Sequence, residues 1–124
     1  MKAKVKVWIE DDEENLIFGG GKTQILELIE DNGSILEAAK KMDMNYKKAW
    51  SHIKILQACI QDELVIVNQG RGANSGTTLT PKAKEIIEAY KILKKDVKEF
   101  TQKRYKELFI KENDTILHPR KDNV

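Results

Sequence analysis

The residue types best able to do chemistry are concentrated in one stretch, Tyr46-Lys47-Lys48-Ala49-Trp50-Ser51-His52-Ile53-Lys54. Lysine ammoniums clamp phosphates or donate to guanine acceptors, and tyrosine and serine hydroxyls bond a phosphate or a base edge. The surrounding sequence leaves that charge uncompensated. From Met44 to Lys84 the basic residues are Lys47, Lys48, Lys54, Arg71, Lys82 and Lys84, and the only acids are Asp62 and Glu63. The first 18 residues reverse the balance, with three lysines against the acidic run Glu10-Asp11-Asp12-Glu13-Glu14. A net charge of +2 therefore conceals a basic middle, the distribution that favours a polyanion through counterion release. Charge alone does not separate this from an ordinary solvated face; the elements carrying the charge have to.

Other candidate chemistries fare worse. Gly19-Gly20-Gly21-Lys22-Thr23 ends like a phosphate loop, but that motif requires a glycine where Leu16 stands. The stretch reads as a strand-to-helix turn, with Lys22 near enough to a helix start to touch a phosphate. The single cysteine, Cys59, excludes an intramolecular disulfide and a zinc site of paired cysteines. It lies beside an apolar stripe and reads as a small buried or half-buried thiol. The only histidines are His52 and His118, so a two-histidine metal site would have to join a mid-chain helix to the tail. No Ser/His/Asp grouping or paired-carboxylate spacing suggests an enzyme, and neither a cofactor nor a metal is expected.

The 124 residues leave room for one domain, and 40% hydrophobic with 34% charged residues is a globular composition. No apolar run reaches the roughly 20 residues of a membrane helix, and the N-terminus lacks the apolar core of a signal peptide. A cytoplasmic protein without membrane association is expected.

The elements follow from local signals. Val5, Val7 and Ile9 alternate with Lys4, Lys6 and Trp8, predicting a strand that pairs with Leu16-Ile17-Phe18 across the acidic turn. Ile25, Leu26, Leu28 and Ile29 predict a helix over 22–31, stopped by Asn32-Gly33. Ser34 with Glu37 forms a capping box for a short helix to Met42. Asp43-Met44-Asn45 turns the chain, and Asn45 caps a third helix, Tyr46 to about Ile60, with Ala49, Trp50, Ile53, Leu56 and Ile60 as its buried stripe. On the other side lie Lys47, Lys48, Ser51, His52 and Lys54. Leu64 to Val67 and Thr77 to Leu79 read as strands around a polar tip, Gln69-Gly70-Arg71-Gly72-Ala73-Asn74-Ser75-Gly76. Thr80-Pro81 then opens a long helix whose stripe, Ile86, Tyr90, Leu93, Val97 and Phe100, has seam spacing. Past Phe109 the pattern dissolves.

Three helices with tight turns followed by a hairpin make a winged helix-turn-helix, whose third helix is placed to enter a DNA major groove. The expected fold is mainly α with a small β component, an N-terminal β-strand or hairpin and a long C-terminal dimerisation helix. Residues 1–79 form the DNA-binding domain, with recognition helix about 46–60 and wing about 64–79. Residues 80–110 form the dimerisation helix and 111–124 a flexible tail. The DNA-contacting candidates are Tyr46, Lys47, Lys48, Ser51, His52 and Lys54 on the helix, with Arg71 and Asn74 in the wing. The partners expected are double-stranded DNA and a second copy joined through Ile86, Tyr90, Leu93, Val97 and Phe100. A winged-helix adaptor that contacts proteins without gripping DNA is the alternative.

Gly33-Ser34-Ile35, Ala38-Ala39 and above all Asn45-Tyr46-Lys47-Lys48-Ala49-Trp50 resemble the N-terminal domain of the molybdenum-dependent transcriptional regulators, the ModE family, relatives of the LysR-type winged helix. The resemblance spans about residues 20–110. It implies a homodimeric operator-binding regulator, with Tyr46, Lys47, Lys48 and Ser51 in the recognition helix and Arg71 in the wing. Family members that sense molybdate do so in ligand domains after the long helix. This sequence carries no Ser-Ala-Arg-Asn-like oxyanion motif, so a link to molybdenum without a molybdate-binding domain is expected, and the effector stays open.

Overall fold

A computed structural model describes residues 1–68 and 76–121. The element order is β1 (Ile9–Glu10), β2 (Leu16–Phe18), α1 (Gly20–Asn32), α2 (Ile35–Lys41), α3 (Tyr46–Ile60), β3 (Val65–Asn68), β4 (Gly76–Leu79), α4 (Pro81–Phe109), β5 (Ile110–Lys111) and β6 (Asp114–Thr115). This is a mainly helical winged helix-turn-helix with small antiparallel strand pairs. The chain forms two compact units, one of Trp8–Tyr90 and the other of Met1–Val7 together with the chain from Lys91 onward.

The caps that punctuate the sequence are formed. Gly33, at φ 66°, ends α1 and donates its N–H to the Ile29 carbonyl at 2.8 Å. Ser34 Oγ accepts from the Glu37 amide at 3.2 Å and Asn45 Oδ1 from the Lys48 amide at 2.8 Å. Thr80 Oγ1 accepts from the Ala83 amide at 3.2 Å and donates to the Glu63 carbonyl at 2.7 Å, tying the start of α4 to the segment before β3. Each such cap satisfies a helix-terminal group that has no partner inside the helix, typically worth about 1 kcal/mol.

The core of the Trp8–Tyr90 unit gathers one apolar face from each of its helices. Leu26, Ile29, Ala38, Ala39, Ala49, Ile53, Leu56 and Leu64 are all buried, and Ala83, Ile87 and Tyr90 of α4 join them. The alanines let α1, α2 and α3 approach closely, and each large buried side chain contributes roughly 1.5–3 kcal/mol of apolar transfer. The β3–β4 hairpin pairs Val65 with Leu79 through Asn68 with Gly76. The start of β4 is fastened to the end of α1, where the Thr77 amide donates to the Gly33 carbonyl at 2.8 Å. Gly76 makes that approach possible: its φ is +111°, and a Cβ there would lie 2.7 Å from the same carbonyl oxygen.

Four expectations are corrected. The N-terminal strand shrinks to Ile9–Glu10, because its partner has only three residues and the register slips between Ile9 and Glu10. Val5 is exposed, and the Gln102 side-chain amide donates to the Ala3 carbonyl, so that backbone bonds a helix side chain outside any strand. The helix read as starting at Lys22 starts at Gly20, with Gly19 as a cap lacking a side chain. The stretch read as a tail contains a tight hairpin, β5 against β6, closed by the Ile116 amide donating to the Phe109 carbonyl. Cys59 is exposed, one step outside the Leu56–Ile60 edge of the buried stripe.

The long-helix stripe divides as well. Tyr90 is buried in its own unit, its ring edge-on to Phe18 with centroids 5.3 Å apart, and Ile86 is half-buried against the same core. They are not available as a free seam. Further along, Leu93 and Phe100 are exposed and Val97 is half-buried.

Candidate nucleic-acid interface

The site is built by the turn between α2 and α3. The Met44 amide donates back to the Ala39 carbonyl at 3.0 Å, and Asp43 takes φ 55°, so the chain reverses in a few residues. Asn45 then fixes where α3 begins. From that start, helical geometry assigns every side chain. Ala49, Ile53 and Leu56 point into the core. Directly opposite, Lys47, Ser51, Ile55 and Ala58 run along the outward line, all exposed.

Tyr46, Trp50 and Lys54 flank that line on one side. Together with Lys47, Ser51 and Ile55 they line a shallow open groove on the outer surface of α3. Trp50 Nε1 donates to Tyr46 Oη at 2.5 Å, and the Lys54 ammonium lies 5.7 Å from the centroid of the Trp50 ring. Trp50 is half-buried: its ring packs against the core, as its apolar character predicts, while its Nε1 edge faces the groove. Both rims of an aromatic with a polar handle are in use.

Lys48 and His52 lie on the opposite flank. Among the described residues, no carboxylate comes within 4 Å of the Lys47, Lys48 or Lys54 ammonium, so none of these residues neutralises their charge. His52 departs from the expectation of an exposed side chain. It is half-buried over a small cavity shared with Lys22, Ile25 and Leu26. Burial pushes its pKa below the ordinary imidazole value, and the neighbouring Lys22 and Lys48 charges push it the same way.

Lys22 itself is a correction. It is only 7% exposed, and its ammonium donates to the Ile17 carbonyl at 2.9 Å and the Leu16 carbonyl at 3.3 Å. Burial lowers its pKa, with Cys59 acting in the opposite direction. Its hydrogen bonds stitch β2 to α1 and leave it unable to reach a phosphate. The wing candidates Arg71 and Asn74 lie outside the described residues.

The structure thus brings Tyr46, Lys47, Ser51 and Lys54 to one groove and places Lys48 and His52 beside it. Reasoning from sequence missed two groove residues, Trp50 and Ile55. Ile55 carries a legible signal, since it is two positions from Ile53 and so falls off the buried stripe; 46% of it is exposed. Trp50 carries none, because a tryptophan next to Ala49 reads as core. Among the described residues, no group of three histidines, cysteines or carboxylates could hold a metal, and no helix is long and apolar enough to cross a membrane.

Comparison with known proteins agrees with this architecture. No protein-family model matches the chain. Over 74 residues it is 31% identical to the transcriptional regulator ModE of Haemophilus influenzae, covering 60% of this chain and 29% of that protein. Over 72 residues it is 35% identical to the molybdenum transport protein ModE of Azotobacter vinelandii, covering 58% and 27%. It is 31% identical over 72 residues to the molybdenum-pterin-binding protein MopB of Rhodobacter capsulatus, covering 58% and 27%. The chain spans less than a third of the length of each of these relatives. Among solved structures, the crystal structure of a CbnR_DBD–DNA complex matches with a TM-score of 0.50, covering 69% of this chain and 94% of that one. At 16% identity that likeness concerns the fold. The chain is a winged helix-turn-helix that resembles the ModE proteins in sequence and the CbnR DNA-binding domain in architecture.

Proposed function

We propose that this protein is a sequence-specific DNA-binding transcriptional regulator, with α3 as its recognition helix. One observation carries the reading: the outward side of α3 presents Lys47, Lys48 and Lys54 without a carboxylate partner among the described residues. A solvated lysine face on an isolated helix is common. Here it sits on the third helix of a winged helix-turn-helix, the element that enters a major groove in this fold. The ModE relatives are named as transcriptional and molybdenum-transport proteins, and the CbnR domain is described bound to DNA. Lys47 and Ser51 face base edges in this reading, while Tyr46, Lys48 and Lys54 take phosphates on the two flanks. His52 stands behind Lys48, and Arg71 and Asn74 reach the neighbouring backbone from the wing.

The protein acts as a homodimer on an inverted repeat, residues 1–79 holding DNA and 80–110 joining the copies. Burial of Ile86 and Tyr90 narrows the seam to Leu93, Val97 and Phe100, of which Phe100 is 65% exposed. A stripe of that kind is buried by pairing with its mate, which sets the two recognition helices about one DNA turn apart. No catalytic step enters this account.

The test is selection of bound sites from random duplex DNA, with and without molybdate. Enrichment of a two-fold symmetric site supports the regulator. Failure to bind random duplex or heparin at low salt contradicts it and favours a protein-contacting adaptor.

A further inference from the structure

We infer that Trp50 is a positioning residue for DNA: its indole N–H holds the Tyr46 phenol so that the tyrosine hydroxyl donates to a phosphate oxygen. The inference rests on the DNA-binding reading of α3 and adds a role to a side chain outside the expected contact set.

The geometry is a ladder at four-residue spacing along one flank of the helix. Tyr46, Trp50 and Lys54 stack in line, with the 2.5 Å bond between the first two and the Lys54 ammonium over the face of the second. An exposed tyrosine at the first position of a helix otherwise samples several rotamers, and ordering it on binding costs affinity. Here the bond from Trp50 selects one rotamer before DNA arrives. It also sets polarity. The phenol oxygen accepts the indole proton, which leaves its own O–H as a donor, and a phosphate oxygen can only accept. The Lys54 cation steadies the indole by its attraction to the ring face. Trp50 packs its ring against the core and satisfies its indole N–H on the outer surface, on a residue that is 46% exposed.

The experiment is a double-mutant cycle on duplex binding by the full chain, read by anisotropy across a salt series, with thermal midpoints recorded alongside. Tyr46→Phe is expected to weaken binding about 10- to 100-fold, the range of one hydrogen bond to a charged acceptor, with an unchanged salt slope because the protein loses no charge. Trp50→Phe keeps an aromatic ring and removes the donor. It is expected to give a similar loss, and the double variant to bind no more weakly than Tyr46→Phe alone. Wild-type affinity for Trp50→Phe overturns the inference, as do losses that add fully in the double variant. So does a Tyr46→Phe variant that binds like the wild type. A wild-type chain that does not bind duplex DNA at all overturns the underlying reading, and this assignment with it.

Discussion

Of the helices that carry lysine in their first turn, α1 and α3 give it opposite fates. In α1, Lys22 follows three glycines and curls back to bond the carbonyls of Leu16 and Ile17, so its charge is buried and spent on structure. In α3, Lys47 and Lys48 follow an asparagine cap and stay exposed, with no carboxylate near among the described residues. Residue type does not separate them. What separates them is whether backbone carbonyls lie within reach of the side chain: β2 supplies two at α1, and among the described residues no carbonyl bonds the Lys47 or Lys48 ammonium at α3.

Exchanging the roles breaks the comparison most directly. Lys47→Ala with Lys48→Ala is expected to cost roughly 2–6 kcal/mol of DNA affinity, about 1–3 for each lysine reading a base or clamping phosphate, with the thermal midpoint unchanged. A titration beside a melting curve checks both halves. Lys22→Met is expected to do the reverse. It removes two bonds from a charged donor, at about 1.5–3 kcal/mol of stability, while the folded fraction keeps its affinity. Denaturant unfolding measures the first and binding at low temperature the second. Loss of affinity without loss of stability in Lys22→Met would erase the distinction.

The caps sharpen the contrast. Asn45→Ala removes the acceptor of the Lys48 amide and should lower stability by about 1 kcal/mol, with weaker binding because the turn carrying Tyr46 and Lys47 frays. Amide hydrogen exchange at residues 46–48 reads that fraying. The smallest effect concerns pH. His52 has a pKa below its ordinary 6.5 in the fold, owing to burial first and then to Lys22 and Lys48. The unfolded chain therefore takes up the proton first, so stability declines as pH falls through 6.5 and is fully recovered above it. His52→Gln should flatten that decline in a series of melting curves between pH 7.5 and 5.5, a change kept small by solvent screening.

What the sequence made legible was local. Gly33, Ser34, Asn45 and Thr80 are stop and cap signals acting within four residues, and they placed α2, α3 and the start of α4 within a residue or two. The periodicity of α3 correctly separated Ala49, Ile53 and Leu56 from the lysines. What it hid was decided at a distance. Lys22 is read wrongly because its acceptors lie in β2, and Tyr90 because the core slot it fills is made by Phe18, 72 positions earlier. The Val5–Ile9 alternation is a true strand pattern without a strand long enough to pair with it. Trp50 looks apolar in sequence, and only the partner on its nitrogen turns it toward the groove.

The most direct test of the lysine face is the salt dependence of wild-type binding to duplex DNA between about 50 and 200 mM. Each neutralised phosphate contributes roughly −0.9 to the slope of log affinity against log salt, so a dimer setting two lysines per protomer on phosphates gives about −3.6. A linear fall of that steepness, made shallower by Lys48→Ala, is the result predicted here. Affinity that stays flat across the series, or a slope that the substitution leaves untouched, would contradict it.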